Sequence, residues 1–193
     1  GAPVDFFSVY TAGIRHVTAA DIRHASELGF RIKLLGIATL GADGLAQRVH
    51  PCMVPESSPM AHVDGAFNAV LADGDFVGRT IFEGPGAGAG PTASAVVADL
   101  IDIARGLRIA PFGVRSSGLV SRPAVSIEDR HGAYYLRLEV LDQSGVLADV
   151  AAHLRNHGVS IESVLQRGRS PGEPISVIMT THETVEAGLA AAL

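Results

Sequence analysis

The chain has 193 residues, 47% hydrophobic and 18% charged, with 15 Lys+Arg against 20 Asp+Glu for a net charge of −5. Such a composition suits one large packed domain or two small ones and excludes a disordered chain. The basic residues are scattered, which argues against a nucleic-acid footprint, and no apolar run reaches transmembrane length.

A single cysteine, Cys52, rules out an internal disulfide and points to a reducing, cytoplasmic compartment. The opening, Gly1-Ala2-Pro3-Val4-Asp5, has no initiator Met, cap or leader and reads as the interior of a longer protein. The end, Gly188-Leu189-Ala190-Ala191-Ala192-Leu193, stops inside a helical pattern, so both ends are expected to be cut.

In chain order, Thr18 caps an expected helix carrying Ile22, Ala25 and Leu28, which Gly29 ends. Residues 31–40 read as a buried strand, Gly41-Ala42-Asp43-Gly44 as a turn, and residues 45–54 as a returning strand with Val49 and Met53 inward. Pro51, Pro55 and Pro59 predict an irregular stretch after it. Residues 65–72 and 76–83 read as strands joined by a hairpin turn at Ala72-Asp73-Gly74-Asp75. There follows the run Glu83-Gly84-Pro85-Gly86-Ala87-Gly88-Ala89-Gly90-Pro91-Thr92, which leads into a helix over 91–105 with Pro91 in its first turn. Glycine lets another molecule approach the backbone, and a helix start offers unpaired N–H groups and partial positive charge. Together they suit an anion such as a cofactor phosphate.

Residues 106–129, with Pro111, Gly113, Ser116, Ser117, Gly118 and Pro123, read as a linker. Beyond it, 134–141 alternates like a half-buried strand, Asp142-Gln143-Ser144-Gly145 turns into a helix over 146–157, and Gly158 ends that helix. A strand over 159–167, a turn at Ser170-Pro171-Gly172-Glu173, a strand over 175–181 and a helix over 184–193 complete a β-α-β-β-α order. That is a ferredoxin-like βαββαβ unit lacking its last strand, which is expected beyond Leu193.

The second unit resembles the ACT domain, a small-molecule-sensing module, in Leu136-Arg137-Leu138-Glu139-Val140, Asp142-Gln143-Ser144-Gly145-Val146-Leu147-Ala148-Asp149-Val150 and Gly158-Val159-Ser160-Ile161-Glu162-Ser163-Val164. The resemblance implies pairing through sheets and an amino-acid site at the first turn, lined by Asp142, Gly145, Val146 and Leu147, with Ile161 as a further candidate. The alternative is that these residues make only a tight turn and a core. The first unit resembles the second half of a bacterial homoserine dehydrogenase. The resembling stretches are Gly13-Ile14-Arg15-His16-Val17-Thr18, Gly29-Phe30-Arg31-Ile32-Lys33-Leu34-Leu35-Gly36-Ile37-Ala38, Arg48-Val49-His50-Pro51, His62-Val63-Asp64-Gly65-Ala66-Phe67-Asn68-Ala69-Val70 and the glycine run.

That second resemblance implies NAD(P)-dependent interconversion of L-homoserine and L-aspartate 4-semialdehyde, in threonine, methionine and isoleucine biosynthesis. It implies an α+β fold: a mixed or antiparallel sheet with helices on one face, then the ACT unit. The implied organisation is 1–106, substrate and dimerisation domain; 107–130, linker; 131–193, truncated ACT domain. Gly88, and secondarily Gly86 and Thr92, would touch the cofactor, which an N-terminal domain mostly holds. The family's catalytic lysine and substrate carboxylates lie upstream of the segment matching Gly1, so this chain alone is expected to be inactive. No strand–G-x-G-x-x-G–helix unit and no Gly-Lys-Ser/Thr closure occurs in the 193 residues. A homodimer or higher homo-oligomer and an effector such as threonine are the implied partners. Two alternatives stay open: an amino-acid-sensing dimerisation module without its own catalysis, and an unrelated α+β protein with an ACT-like tail.

Eight histidines raise the question of a metal; His153 and His157 stand at H-x₃-H spacing, but with a single cysteine no C-x₂-C accompanies them, and none is expected. His50 and His62 read as loop caps. Lys33, the only lysine, reads as a solvated strand residue, Glu83 as a strand-end charge, and Arg167 with Arg169 as a solvated hairpin tip.

Overall fold

The computed structural model describes residues 2–3, 5–110, 113–168 and 172–193. Pro111 of the expected linker, Arg169 of the basic pair, and Ser170 and Pro171 of the expected turn lie outside the described residues, as do Gly1 and Val4.

The first unit is built on one long hairpin. β2 (Phe30–Leu40) and β3 (Leu45–Pro55) pair antiparallel from Phe30↔Pro55 to Leu40↔Leu45. The short β1 (Tyr10–Thr11) adds to β3 in parallel, opposite Arg48 and Val49. Pro51 does not break β3, as its position suggested; it pairs with Leu34, past the two residues that β1 covers. There the outer edge of β3 needs no N–H donor, the condition under which a strand tolerates proline. Met53 and Val49 are half-buried, and Val54 is the buried residue of this strand.

Helix α1 (Ala19–Glu27) packs on β2. Thr18 Oγ1 accepts from the Asp21 N–H while the Asp21 carboxylate accepts from the Thr18 N–H, a complete capping box. Its inner face is Asp21 and Ala25, one turn apart and both buried; Ile22, one position off that face, is exposed.

The other long hairpin stands apart. β4 (Phe67–Gly74) and β5 (Gly78–Pro85) form their own two-stranded sheet, so the four long strands do not join into one. Asp73 and Gly74 sit in β4, and the turn is 75–77, closed by Gly78 at φ 71°. A three-residue turn ending on a left-handed glycine is a common hairpin solution, which displaces the Asp-Gly expectation by two residues. Helix α2 (Ala89–Ala104) follows, and none of its residues is buried. Val97, Leu100 and Ile103 on α2 and Val70, Phe76 and Phe82 on the hairpin are all more than half exposed.

The segment read as a linker is stitched to the first sheet. Leu45 N–H donates to the Pro123 carbonyl at 2.8 Å, and Val125 N–H to the Leu45 carbonyl at 3.2 Å. Gly44 (φ 140°) makes room for this: a Cβ there would fall onto the Pro123 carbonyl.

In the second unit, β7 (Tyr135–Leu141), β8 (Ile161–Gln166) and β9 (Pro174–Thr181) form an antiparallel sheet ordered β7-β9-β8. The short β6 (His131–Gly132) pairs with β10 (Thr184–Val185). Helices α3 (Val146–Asn156) and α4 (Glu186–Ala192) complete the order β-α-β-β-α. Alternation sends Leu136, Val177 and Met179 to one face, where they meet Leu154, Val159 and Leu189 in a dry core. Gly188 lets α4 approach the end of α3, where a Cβ would lie 2.9 Å from the His157 carbonyl. The opposite sheet face carries Tyr135, Arg137 and the buried Ile178, and it turns toward the first unit. No helix among the described residues is long and apolar enough to cross a membrane.

Candidate functional site

Three places bring functional groups together. The first is the glycine run at the end of β5. Gly86 N–H donates to the Ala66 carbonyl at 2.8 Å, and the space beside its Cα is filled by the Asn68 amide. Gly88 is the N-cap of α2 at φ 120°, ψ 154°, a conformation that only glycine adopts without strain, and its carbonyl accepts from Thr92 N–H at 3.1 Å. Thr92 is exposed on the second turn of α2. A Cβ at Gly84 or Gly90 would meet nothing within 4 Å. Backbone and helix start are therefore open to an approaching group, with Gly88 at the mouth; Gly86 presents only the side that Asn68 does not cover. Glu83 is exposed on β5.

Beside this hairpin, Lys33 is not the solvated residue its strand position suggested. Its Nζ donates to the Val63 carbonyl and to Asp64 Oδ1, both at 2.7 Å, and its side chain is largely covered. Arg31 holds the other Asp64 oxygen at 3.1 Å. The lysine hydrogen bond and charge, with help from Arg31, pull the Asp64 carboxyl below its usual range despite some desolvation. This cluster ties β2 to the loop that enters β4. His62 Nε2 bonds the Glu56 carbonyl at 2.7 Å, the loop role expected of it, whereas His50 lies within β3, opposite Leu35, and its Nδ1 bonds the Pro51 carbonyl at 3.0 Å, so it caps no loop.

The second place is the first turn of the ACT-like unit. Gly145 is left-handed (φ 97°) and caps α3. Asp142 N–H donates to the Glu173 carbonyl at 3.0 Å, which fastens this turn to the β8–β9 connection. Val146 is half-buried and Leu147 exposed in the first turn of α3. Ile161 packs against the core cluster and lines a shallow groove with Ala151, Arg155 and Val159, a groove that the other four candidates do not line.

The third place, which the sequence reading missed, is a cleft of about 610 Å³ between the two units. Tyr10, Phe30, Ile32, His50 and Met53 form one wall; Arg130, Tyr134, Tyr135, Arg137, Glu162 and Glu186 form the other. Asp21 closes one end and spans both units. Its Oδ2 takes the Thr18 N–H and Oγ1–H at 2.7 Å, and its Oδ1 takes the Tyr135 hydroxyl and Arg137 Nε at 2.8 Å. Burial opposes the charge, but these four donors outweigh it and bring the carboxyl down to about 2. Desolvation and the bond to Asp21 push the Tyr135 phenol well above its ordinary range; desolvation and the bond to Glu186 push Tyr134 up to about 12. Burial lowers His50 and raises Cys52, whose Sγ lies 3.4 Å from His50 Nδ1, so this pair stays imidazole and thiol at neutral pH. Arg167 joins Glu27 across the units at 3.0 Å on the surface. Among the described residues, no three His, Cys, Asp or Glu side chains converge as a metal site would require.

The β7-β9-β8 sheet with its two helices makes the second unit, and a family profile described as ACT domain matches residues 134–193. A profile described as homoserine dehydrogenase matches residues 1–101, more than half of the chain, and the chain belongs to the homoserine dehydrogenase family. The homoserine dehydrogenase of Neisseria gonorrhoeae is 40% identical over 199 residues, a match that covers all of this chain and 46% of that protein. That of Pseudomonas aeruginosa is 40% identical, covering 96% of this chain and 44% of the relative. The crystal structure of a homoserine dehydrogenase from Thiobacillus denitrificans superposes with a TM-score of 0.87 at 43% identity, over 99% of this chain and 44% of that one. The homoserine dehydrogenase of S. aureus, at 24% identity and a TM-score of 0.66, shares the fold. The chain spans less than half the length of the relatives it matches.

Proposed function

We propose that this chain is the C-terminal part of an NAD(P)-dependent homoserine dehydrogenase, which interconverts L-homoserine and L-aspartate 4-semialdehyde. Residues 1–106 are the second half of its substrate and dimerisation domain, 107–130 the connection, and 131–193 the ACT regulatory domain. The observation that carries the reading is the glycine-capped α2, whose open backbone start and bare apolar sides need a neighbour, in a chain of this family. Gly88, and to a lesser degree Gly86 and Thr92, would hold part of the cofactor; the open backbone at Gly84 and Gly90 fits that role. When bound, the nicotinamide supplies or accepts the hydride. What this chain adds is positioning: unpaired N–H groups at a helix start favour an anion held close by. The remaining cofactor contacts and the catalytic lysine belong to sequence outside these 193 residues, so the chain alone is proposed to be inactive.

A chimera tests this reading. These 193 residues replace the matching C-terminal part of the Neisseria gonorrhoeae enzyme, and NADP-dependent oxidation of L-homoserine is followed at 340 nm. Activity well above that of the N-terminal part alone is expected, with Gly88→Val raising KM for the cofactor. A folded chimera without activity would overturn the reading.

The ACT unit supports a regulatory role in the same protein. The left-handed Gly145 at the start of α3 leaves room for a ligand carboxylate at the helix start, and we place an amino-acid effector such as threonine at Asp142, Gly145, Val146 and Leu147. Titration calorimetry with threonine checks this, and absence of heat at millimolar ligand would leave the turn with a structural role only.

A further inference from the structure

We propose that the ACT unit is a swinging arm: it pivots at Val125–Ser126, a latch at Asp21 holds it shut, and the cleft between the units is the space that its motion opens and closes. The device requires neither the activity nor the effector site proposed above.

The pivot follows from which unit each stretch of backbone bonds to. Up to Val125 the connection is fastened to the first unit: Leu45 N–H donates to the Pro123 carbonyl, and Val125 N–H to the Leu45 carbonyl. From Ser126 on it is fastened to the second. Ser126 Oγ accepts from Glu128 N–H at 3.2 Å, and its carbonyl accepts from Asp129 N–H at 3.3 Å, which closes a short 3₁₀ turn over Ile127–Asp129. That turn packs on α4, and the carbonyl of Arg130 accepts from Glu186 N–H at 2.9 Å. Ser126, exposed and extended at φ −64° and ψ 151°, therefore joins two anchored stretches with no slack between them. So short a joint permits rotation and little translation.

The latch is small and polar. Among the described residues, the hydrogen bonds and ion pairs that cross from residues 1–125 to residues 126–193 all end on two side chains of α1. Asp21 Oδ1, in a buried place, takes the Tyr135 hydroxyl and Arg137 Nε at 2.8 Å; Glu27 takes Arg167 at 3.0 Å on the surface. An exposed pair of the second kind contributes little. Apolar packing does not replace them. The core cluster of the ACT unit is made of its own residues, and Ile178 is the buried apolar residue on the sheet face turned toward the first unit. Between the units lies the cleft of about 610 Å³, lined by Ile127 beside the pivot and by Asp21, Tyr135 and Arg137 of the latch. Two units joined by a polar seam, and not by a shared apolar core, move relative to one another unless something holds them. Here that is one carboxylate.

Distances between two spin labels, read by pulsed electron paramagnetic resonance, test the device. The 193-residue chain carries labels at Arg23→Cys in α1 and Arg155→Cys in α3 over a Cys52→Ser background, and is diluted into unlabelled chain so that only distances within one chain are read. With the latch intact, one narrow distribution is expected. Tyr135→Phe with Arg137→Met removes both buried donors and should raise the open-to-closed ratio about tenfold or more, seen as a second, longer distance. Melting of the ACT core, on the other face of the sheet, should stay as it was. Asp21→Asn weakens the latch from the first unit and should give the same second distance. Ser126→Pro fixes a φ that proline matches and restricts Val125, so adding it to the opened chain should narrow the distribution again. Glu27→Gln should leave the closed distance unchanged. The proposal fails if the chain with an intact latch is already broad, if both latch variants keep its single distance, if Ser126→Pro leaves the opened distribution as wide as before, or if Glu27→Gln opens the chain as the latch variants do.

Discussion

Replacing Asp21 by Asn is expected to cost about 2 kcal/mol of stability at pH 7. The side chain is only 7% exposed, so solvent does little to screen its interactions. It lies at the N-terminus of α1, where negative charge is favoured, and all four of its donors lie within 2.8 Å. Burial works against the charged form, yet the bonds from Thr18, Tyr135 and Arg137 bring the carboxyl from 3.8 to about 2. At about 1.4 kcal/mol per pKa unit, that gap corresponds to about 2 kcal/mol in favour of the folded state. Since the folded value lies below the unfolded one, this contribution is fully present above pH 3.8 and disappears as the pH falls through about 2. Urea unfolding at pH 7 and at steps down to pH 2, followed by circular dichroism, measures it. Asp21→Asn should trail the parent chain by the full amount at pH 7 and close the gap as acid is added. A gap under about 0.5 kcal/mol at pH 7, or one that does not change with pH, would refute the reasoning. A double-mutant cycle with Arg137→Met separates the capping half of the node from the half that joins the units.

Gly44→Ala should destabilise by about 3 kcal/mol, combining strain at φ 140° with displacement of the Pro123 carbonyl that Leu45 bonds; faster amide exchange at Leu45 and Val125 would report it. Met179→Ala, in the packed face of β9, should cost about 2–5 kcal/mol in thermal unfolding of the ACT unit. The bare sides of α2 and the β4–β5 hairpin should draw two copies together, so light scattering is expected to return more than the 20.0 kDa of one chain. Ile103→Asp, at one of the most exposed apolar positions of α2, should shift that equilibrium toward the monomer.

Features specified by neighbours in sequence were legible. The Thr18 cap, the left-handed glycines at 29, 145 and 158, and the two periods of alternation each follow from a window of a few residues, and each appears where expected. The glycine run was legible for the same reason, since its function as a helix cap is local. Partnerships across the chain were not. The spacing Thr18-x-x-Asp21 announces a capping box, but nothing near it says that the same carboxylate will accept from Tyr135 and Arg137, more than a hundred residues on. Lys33 was misjudged in the same way: alternation placed it on a face, and only the return of the chain at Val63 and Asp64 covers that face.

The distribution of buried polar and exposed apolar residues divides the molecule by what each part must meet. The seam between the two units is closed by specific, directional contacts at Asp21, and the polar groups along it are mostly satisfied within the chain. Around α2 and the β4–β5 hairpin the reverse holds: apolar side chains stand largely in solvent. Burying one such side chain is worth about 1.5–3 kcal/mol, so a surface holding six or more of them strongly favours a neighbour. The glycine run joins the bare hairpin to the bare helix, at the place where that neighbour must arrive. Its open backbone is consequently suited to a ligand held between two bodies, while the ACT unit meets α1 through the bonds of Tyr135 and Arg137 to Asp21. A signal from the ACT unit that altered the grip of Tyr135 and Arg137 on Asp21 would act first on the cap of α1 and then on β2, whose Lys33 holds the loop leading into β4. The Arg137–Asp21 pair joins the units at α1 and the Lys33–Asp64 pair ties β2 to the loop into β4, so Asp64→Asn is expected to loosen that loop and speed amide exchange at Phe67, whose N–H bonds the Asp64 carbonyl.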